Sequence, residues 1–264
     1  MLLLCRKTIS FVKRGSYQYN GSRRMKLSLV IPAYNEAGRI EDSLEQVFAY
    51  LTGFSDPAEI IVVDDGSTDA TAALVQAKAQ GRPELRLIRL PKNQGKGAAV
   101  RAGVLESQGE WVLMTDADLS TPLFELPRFF AALADGFDLA VASRQLPGAR
   151  LVRLQPWLRL LAGLLFGFLV RRILPVGVVD TQCGFKLLRG EPGRRLFRRL
   201  TVKGFCFDLE LLALARQAGW QITELPVTWR YAEGSKVNVL RDLPRVIRDV
   251  LRIRWKLWWG TDPP

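Results

Sequence analysis

The sequence predicts an α/β protein with a mainly parallel central sheet flanked by helices. Two observations carry that expectation. Short apolar and β-branched runs alternate with segments of helical periodicity through the first half of the chain. The acidic clusters of that half stand at the carboxyl ends of the runs, the edge on which ligands sit in sheets of this kind.

Residues 27–31 form a short apolar run ended by Pro32, and Ile40, Leu44, Val47, Phe48 and Leu51 recur as one face of a helix over 40–51. Residues 59–63 are a β-branched strand stopped by Asp64-Asp65-Gly66-Ser67-Thr68-Asp69, and 70–79 read as the next helix. The unit repeats with a strand at 85–90, a helix at 97–107 and a strand at 111–115 that ends at Asp116-Ala117-Asp118. A further strand, 139–142, precedes Ser143 and Arg144. Such alternation implies right-handed crossovers between parallel strands.

The 264 residues suffice for one substantial core, and 48% hydrophobic with 24% charged residues excludes wholesale disorder. The net charge of +12 calls for an anionic partner: nucleic acid, anionic lipid or a phosphorylated substrate. Six of the cations (Arg6, Lys7, Lys13, Arg14, Arg23, Arg24) fall in the first 24 residues, which contain no acid. Met25 opens the first strand, so residues 1–24 read as a basic extension or as an untranslated leader. A catalytic domain over 25–239 and a basic amphipathic helix with a tail over 240–264 complete the expected organisation.

Histidine is absent, which excludes a His base, a His metal ligand and a Ser-His-Asp relay. Cys5, Cys183 and Cys206 are spaced neither as a disulfide framework nor as a zinc site, and Cys183 reads as small buried packing. The opening Met-Leu-Leu-Leu is too short to span a bilayer, and no signal peptide is evident, so a cytoplasmic protein is expected. Eleven uncharged residues at 160–170, before Arg171 and Arg172, are likewise too few to span and predict a buried or interfacial helix.

Over 240–259, Leu243, Val246, Ile247, Val250, Leu251 and Ile253 form an apolar stripe. Arg241, Arg245, Arg248, Arg252, Arg254 and Lys256 make up much of the remainder, closed by Trp255, Trp258 and Trp259. Two readings stay open: a helix lying on a membrane surface, and a helix packed on the catalytic domain with a solvated basic face.

Acidic residues at adjacent strand ends can hold a divalent cation or hydrogen-bond the ribose or base of a nucleotide. Magnesium and manganese prefer hard oxygen ligands and share their shell with substrate phosphates. Asp116 and Asp118, separated by small Ala117, can place one carboxylate on such a metal while the other supports it.

Pro32-Ala33-Tyr34-Asn35-Glu36, Val62-Val63-Asp64-Asp65-Gly66-Ser67-Thr68-Asp69, Asn93-Gln94-Gly95-Lys96-Gly97 and Asp116-Ala117-Asp118 stand in the order seen in glycosyltransferase family 2, whose nucleotide-sugar-binding half they resemble. Asp180-Thr181-Gln182-Cys183-Gly184-Phe185-Lys186, Gly204-Phe205-Cys206-Phe207-Asp208-Leu209-Glu210-Leu211, Glu224-Leu225-Pro226-Val227-Thr228-Trp229 and Gly234-Ser235-Lys236-Val237 resemble its dolichyl-phosphate glucosyltransferase branch. Dolichol-phosphate mannose synthases share much of this pattern. The likeness covers roughly Lys26 to Val239.

The resemblance implies a GT-A type nucleotide-diphospho-sugar transferase fold and inverting transfer of a sugar, glucose from UDP-glucose, onto a polyprenyl or dolichyl phosphate. It implies Pro32, Tyr34, Glu36, Asp64 and Asp65 around the base and ribose, with Lys96 near the diphosphate. Asp116 and Asp118 would bind Mg2+ or Mn2+ and the sugar diphosphate. Ser120 stands where the mannose synthases carry Gln, so no third protein ligand of that type is expected. Arg144, Arg230 and Lys236 would receive the acceptor phosphate, with Arg150 a looser fourth.

A phosphate acceptor is ionised near neutral pH, so its attack requires little or no general base, in keeping with the missing histidine. An acceptor hydroxyl would require a carboxylate base. Asp208 is the candidate for that role, its alternative being to cap the helix that follows. Asp180 and Gln182 are expected to order a loop beside the sugar, and Phe185, Phe205, Phe207, Trp229 and Tyr231 to lie in the core. The expected location is peripheral, on the cytoplasmic face of a membrane, without a transmembrane helix.

Three alternatives remain: transfer to a saccharide, protein or other lipid hydroxyl; mannosyl transfer from GDP-mannose; and a catalytically idle membrane- or nucleic-acid-binding protein. Nucleic acid is not an expected partner, because acidic strand ends would repel it.

Overall fold

Parallel strands that are apolar on both sides need helices over both faces, and the chain supplies them. The computed structural model describes residues 25–153, 170, 172–174, 176–231 and 239–259. Strand β1 (Leu27–Ala33) pairs in parallel with β2 (Ala58–Asp64) on one side and β4 (Trp111–Met114) on the other, and β2 pairs with β3 (Leu85–Arg89). Beyond β4 lies β7 (Lys186–Arg189), antiparallel to both β4 and β5 (Leu139–Ser143). Strand β8 (Ile222–Pro226), parallel to β5, completes a seven-stranded sheet in the order β3-β2-β1-β4-β7-β5-β8. A separate pair, β6 (Arg150–Arg153) with β9 (Thr228–Arg230), lies outside it.

Alternate residues of each strand feed opposite cores. Val30, Val112 and Met114 join Val100 and Val104 of α3 (Lys96–Glu106), Phe197 of α5 (Gly190–Arg198) and Leu209 of α6 (Phe207–Gln217). Leu29, Ile31 and Leu113 join Leu44 of α1 (Ile40–Thr52), Val75 of α2 (Thr71–Ala79) and Phe129 of α4 (Leu126–Ala134). Order reverses at β1, whose neighbours β2 and β4 are the following strand and a later one. This opens a switch-point crevice at the carboxyl edge.

Three features depart from the sequence expectation. The β7 reversal and the β6/β9 pair are not foreseen, since Lys186–Arg189 is only four residues long and carries a cation at each end. The stripe of α7 (Val239–Trp259) splits in two. Val250 and Ile253 join the core, with Val246 and Leu257 packed against it, while Ile247 and Leu251 face outward. Phe205 is 39% exposed, whereas Phe185 and Phe207 are core residues.

Helix α7 is also bolted down by polar contacts. The Lys256 ammonium donates to Glu210 of α6 at 3.1 Å and to the Arg199 carbonyl. Glu210, buried, accepts in addition from the amides of Thr201 and Val202 at 2.8 Å each and from the Thr201 hydroxyl at 2.9 Å. Among the described residues, no helix is long and apolar enough to cross a membrane. The apolar stretch at 154–169 and Lys236 lie outside the described residues.

Candidate active site

The turns after β1 and β2 are stitched to each other before any ligand is considered. Asn35 takes a left-handed conformation (φ 51°), which Asn tolerates better than most residues, and its side-chain oxygen accepts from the Thr68 amide at 2.8 Å. The amides of Asn35, Glu36 and Ala37 donate to Ser67 Oγ, Thr71 Oγ1 and Asp69 Oδ2. Glu36 pairs with Arg39 at 2.9 Å. Asp64 is fully buried, with Oδ1 accepting from the Ser67 amide at 3.1 Å and Oδ2 lying 3.5 Å from the Arg89 guanidinium.

Asp65 reaches away from this turn. Its two oxygens accept from the amides of Gln94 and Gly95, both at 2.8 Å, so it anchors the loop that presents Lys96. Burial raises its pKa above the usual carboxylate range against those two amides. Tyr34, Gly66–Thr68 and Arg89–Asn93 enclose an open groove of about 630 Å³ along the joined turns. Pro32 is half-buried in β1 opposite Val63 and is not among the residues that line that groove.

The centre of the site follows β4. Thr115 continues the strand, its amide donating to the Val30 carbonyl, after which Leu119 turns through φ 46° and donates to the Asp116 carbonyl. Ala117 is buried, its carbonyl accepting from Ser43 Oγ at 2.6 Å, so the carboxylates on either side project from a pinned backbone. Asp116 Oδ1 lies 2.6 Å from Lys96 Nζ, and Asp118 Oδ1 accepts from the Ser120 amide at 2.9 Å. The other oxygen of Asp116 rests on the backbone of Gly184, where an added Cβ would come within 2.1 Å of it.

Beneath these groups Asp208, the candidate base, is paired with Lys186, a residue to which the sequence assigned no chemistry. Lys186 is fully buried, donating to Asp208 Oδ1 and to the Cys183 carbonyl, both at 2.6 Å. Asp208 does not cap its helix: Cys206 occupies the N-cap position with no side-chain bond, and Asp208 turns inward from the first turn to meet Lys186. Burial raises the Asp208 pKa despite Lys186 and Lys96. Burial also opposes ionisation of Asp116, but Lys96 overrides it and holds that group below the usual range. Asp118 is raised, first by burial and then by the Asp116 charge.

The expected acceptor cations are spread out. Arg144 is clamped by Asp180 through Nε–Oδ2 and Nη2–Oδ1 bonds of 2.7 Å, its backbone amide adds a third, and its guanidinium lies 5.3 Å from the Trp229 ring centroid. The Arg230 amide donates to the Ser120 carbonyl, so the backbone of this exposed residue is tied to the segment that follows Asp118. Arg150 is on β6 opposite Thr228. Cys183 is buried, as expected of packing, and Gln182 Nε2 is a buried donor with no hydrogen-bond partner among the described residues.

The Asp180–Arg144 clamp carries a pH signature. Burial would raise Asp180, yet the Arg144 pair holds it below the usual range. A depressed folded pKa gives stability above the unfolded value, about 3.9, that is lost as pH falls through the folded one. Asp180→Asn should therefore melt several degrees below the wild type at pH 7, and the gap should close as the pH falls below the unfolded value and on through the depressed folded pKa, as thermal denaturation at a series of acid pH values would register.

The donor set fits a hard divalent cation. Asp116 and Asp118 flank one small residue, Lys96 already favours the Asp116 anion, and a cation would offset the burial and like charge that disfavour ionised Asp118. Among the described residues no cluster of three or more Asp, Glu, Cys or His side chains is present, so further oxygens would come from solvent or a bound diphosphate.

The family model described as Glycosyl transferase family 2 matches residues 28–197. A dolichyl-phosphate beta-glucosyltransferase of Trichomonas vaginalis is 42% identical over 223 residues, covering 80% of this chain and 66% of the relative. The Homo sapiens dolichyl-phosphate beta-glucosyltransferase is 36% identical over 249 residues, covering 89% and 77% respectively. The crystal structure of Mycobacterium tuberculosis glucosyl-3-phosphoglycerate synthase with Mn2+ and UDP-glucose superposes with a TM-score of 0.65 at 21% identity, covering 87% of this chain and 79% of that one. At that identity the likeness concerns the fold.

Proposed function

Because the chain belongs to glycosyltransferase family 2 and has its GT-A fold, we propose that it transfers glucose from UDP-glucose to dolichyl or a related polyprenyl phosphate, with inversion at the anomeric carbon. The observation that carries this reading is the Asp116–Asp118 pair, braced by Lys96 at the switch point, in a chain 42% identical to an enzyme of that name. The acceptor lipid puts the reaction at a membrane surface, which we assign to the cytoplasmic face.

The donor's nucleoside lies in the groove of Tyr34, Ser67 and Asn93, and buried Asp64 holds the Ser67 amide of that groove in place. Its diphosphate meets Lys96, which then divides its charge between the leaving group and Asp116. Asp116 and Asp118 hold a divalent cation, which when bound supplies positive charge to the departing nucleoside diphosphate. An acceptor phosphate oxygen forms the new bond to the anomeric carbon as the bond to the donor phosphate breaks, and the electron pair leaves with UDP. The acceptor oxygen is already an anion, so no proton need be removed.

Arg230 is the better placed acceptor cation. Asp180 matches the charge of Arg144, whereas Arg230 is tied by its backbone to the metal turn and exposes its guanidinium. Asp208 is a poor base for a hydroxyl acceptor, since it is 3% exposed and bound to Lys186. This favours phosphate over the alternative acceptors.

The direct test is transfer of labelled sugar from a panel of UDP- and GDP-sugars to a short polyprenyl phosphate with Mg2+ or Mn2+. Label should pass from UDP-glucose alone, and not to the unphosphorylated alcohol. Transfer from GDP-mannose, or to a saccharide with no phosphate requirement, would overturn the assignment. Gly184→Ala is a finer probe: the Cβ displaces the Asp116 carboxylate by about an ångström, and such misplacement costs on the order of 100-fold in rate. A melting point within a few degrees of the wild type should accompany that loss.

A further inference from the structure

A helix docked on a domain buries one stripe and offers water a polar back. Helix α7 does not. Val246, Val250, Ile253 and Leu257 pack toward the core, yet Ile247, Leu251, Trp255 and Trp258 are 51%, 59%, 50% and 76% exposed. With about 100° between successive residues, those four fall within roughly 80° of one another, on the side opposite the packed stripe. Scattered exposed apolar residues are ordinary, but four in one line, two of them tryptophans, are not.

Exposed arginines border the strip: Arg254 on one side, Arg245, Arg248 and Arg252 on the other. The Arg254 guanidinium lies 5.9 Å from the Trp258 ring centroid, and Arg248 also reaches Asp249 at 3.2 Å. Asp249 itself is turned toward Gly204 and is buried.

We propose that this outer strip of α7 is a docking face for an anionic lipid surface, the apolar side chains entering the acyl boundary while the arginines meet the headgroups. The complementarity selects the occupant. Indole rings and guanidinium groups flanking an aliphatic line suit a headgroup–acyl boundary. A second copy of this chain seated on the same strip would bring the two arginine borders together, a like-charge contact without compensation.

The inference deepens the proposed transfer to a lipid acceptor and rests on that reading for its purpose, not for its geometry. The Lys256–Glu210 contact fixes α7 to α6, and Glu210 also holds the amides of Thr201 and Val202. The loop beginning there brings the Lys203 carbonyl to the Ala98 amide at 3.1 Å, two residues beyond Lys96. A lipid-bound α7 thus holds the catalytic edge in a set orientation to the surface through one short loop.

The test uses the full chain and flotation with vesicles of neutral lipid alone or with about 30% anionic lipid. The fourfold variant Ile247→Ser, Leu251→Ser, Trp255→Ser, Trp258→Ser should bind the anionic vesicles at least tenfold more weakly than the wild type, with circular dichroism and melting point retained. Equal binding by variant and wild type would overturn the proposal. So would a wild-type dimer in light scattering that becomes monomeric in the variant, which would make the strip an interface between copies. Transfer to a short-chain, water-soluble polyprenyl phosphate separates this idea from the catalytic one. Loss of vesicle binding with that transfer intact supports the strip, and a wild type that floats but transfers to no lipid phosphate sinks the catalytic assignment alone.

Discussion

Asp118→Ala should lower kcat for sugar transfer by about 1000-fold, the upper part of the range for removing a group that stabilises transition-state charge. Its stability should stay at or slightly above the wild-type level. The two outcomes have one cause. Burial and the neighbouring Asp116 charge raise the Asp118 pKa, so at neutral pH its ionised carboxylate is held against an unfavourable environment. A group whose folded pKa is raised contributes stability when protonated and opposes folding when ionised. Removing it relieves the fold and, on the proposed function, removes a cation ligand in the same step. Steady-state rates with saturating UDP-glucose, beside thermal melts at pH 7, would measure both. A variant that keeps more than a tenth of wild-type activity would remove Asp118 from the metal site.

The strand ends were legible in the sequence because local chemistry writes them. A β-branched run such as 59–63 followed by Asp-Asp-Gly-Ser leaves little choice of element, and a parallel sheet then gathers its acidic ends on one edge. The division of labour within those motifs was not legible. Asp64 and Asp65 are adjacent and chemically alike, yet Asp64 faces the Ser67 amide while Asp65 crosses to the amides of Gln94 and Gly95. Which way each carboxylate turns depends on the loop brought alongside by β3 and α3, a tertiary fact.

Helix α7 illustrates the same limit. Its periodicity announced an amphipathic helix, and the alternatives of docked or surface-lying looked exclusive. The structure makes it docked through Val250, Ile253 and Lys256 and apolar on its back as well. A cation placed among the solvated residues on periodicity grounds proved to be buried, because Glu210 on another helix was there to receive it. Composition reports that a lysine exists, and only the fold decides whether it meets water or a carboxylate.

Lys186 extends that lesson to the catalytic floor, and its replacement should produce the largest loss of stability. Its ammonium is fully buried, bound to Asp208 and to the Cys183 carbonyl, in a strand that sequence periodicity did not single out. Lys186→Met leaves the Asp208 carboxylate buried beside Asp116 without its closest cation. Breaking a buried pair from one side costs about 3–5 kcal/mol. For a chain of this size that corresponds to a fall in melting temperature of roughly 10 °C.

The double variant Lys186→Met, Asp208→Leu removes both charges, and apolar replacement of a whole buried pair is commonly neutral. It should therefore regain most of the lost stability. Activity should not return with it, because Asp208 also contributes to the negative environment that keeps Lys96 protonated, and Lys186 helps keep Asp116 ionised. Melting curves and transfer rates on the single and double variants would separate these roles. Recovery of stability without rate makes the pair a positioning element for the Lys96–Asp116 contact. Joint recovery reduces it to core packing.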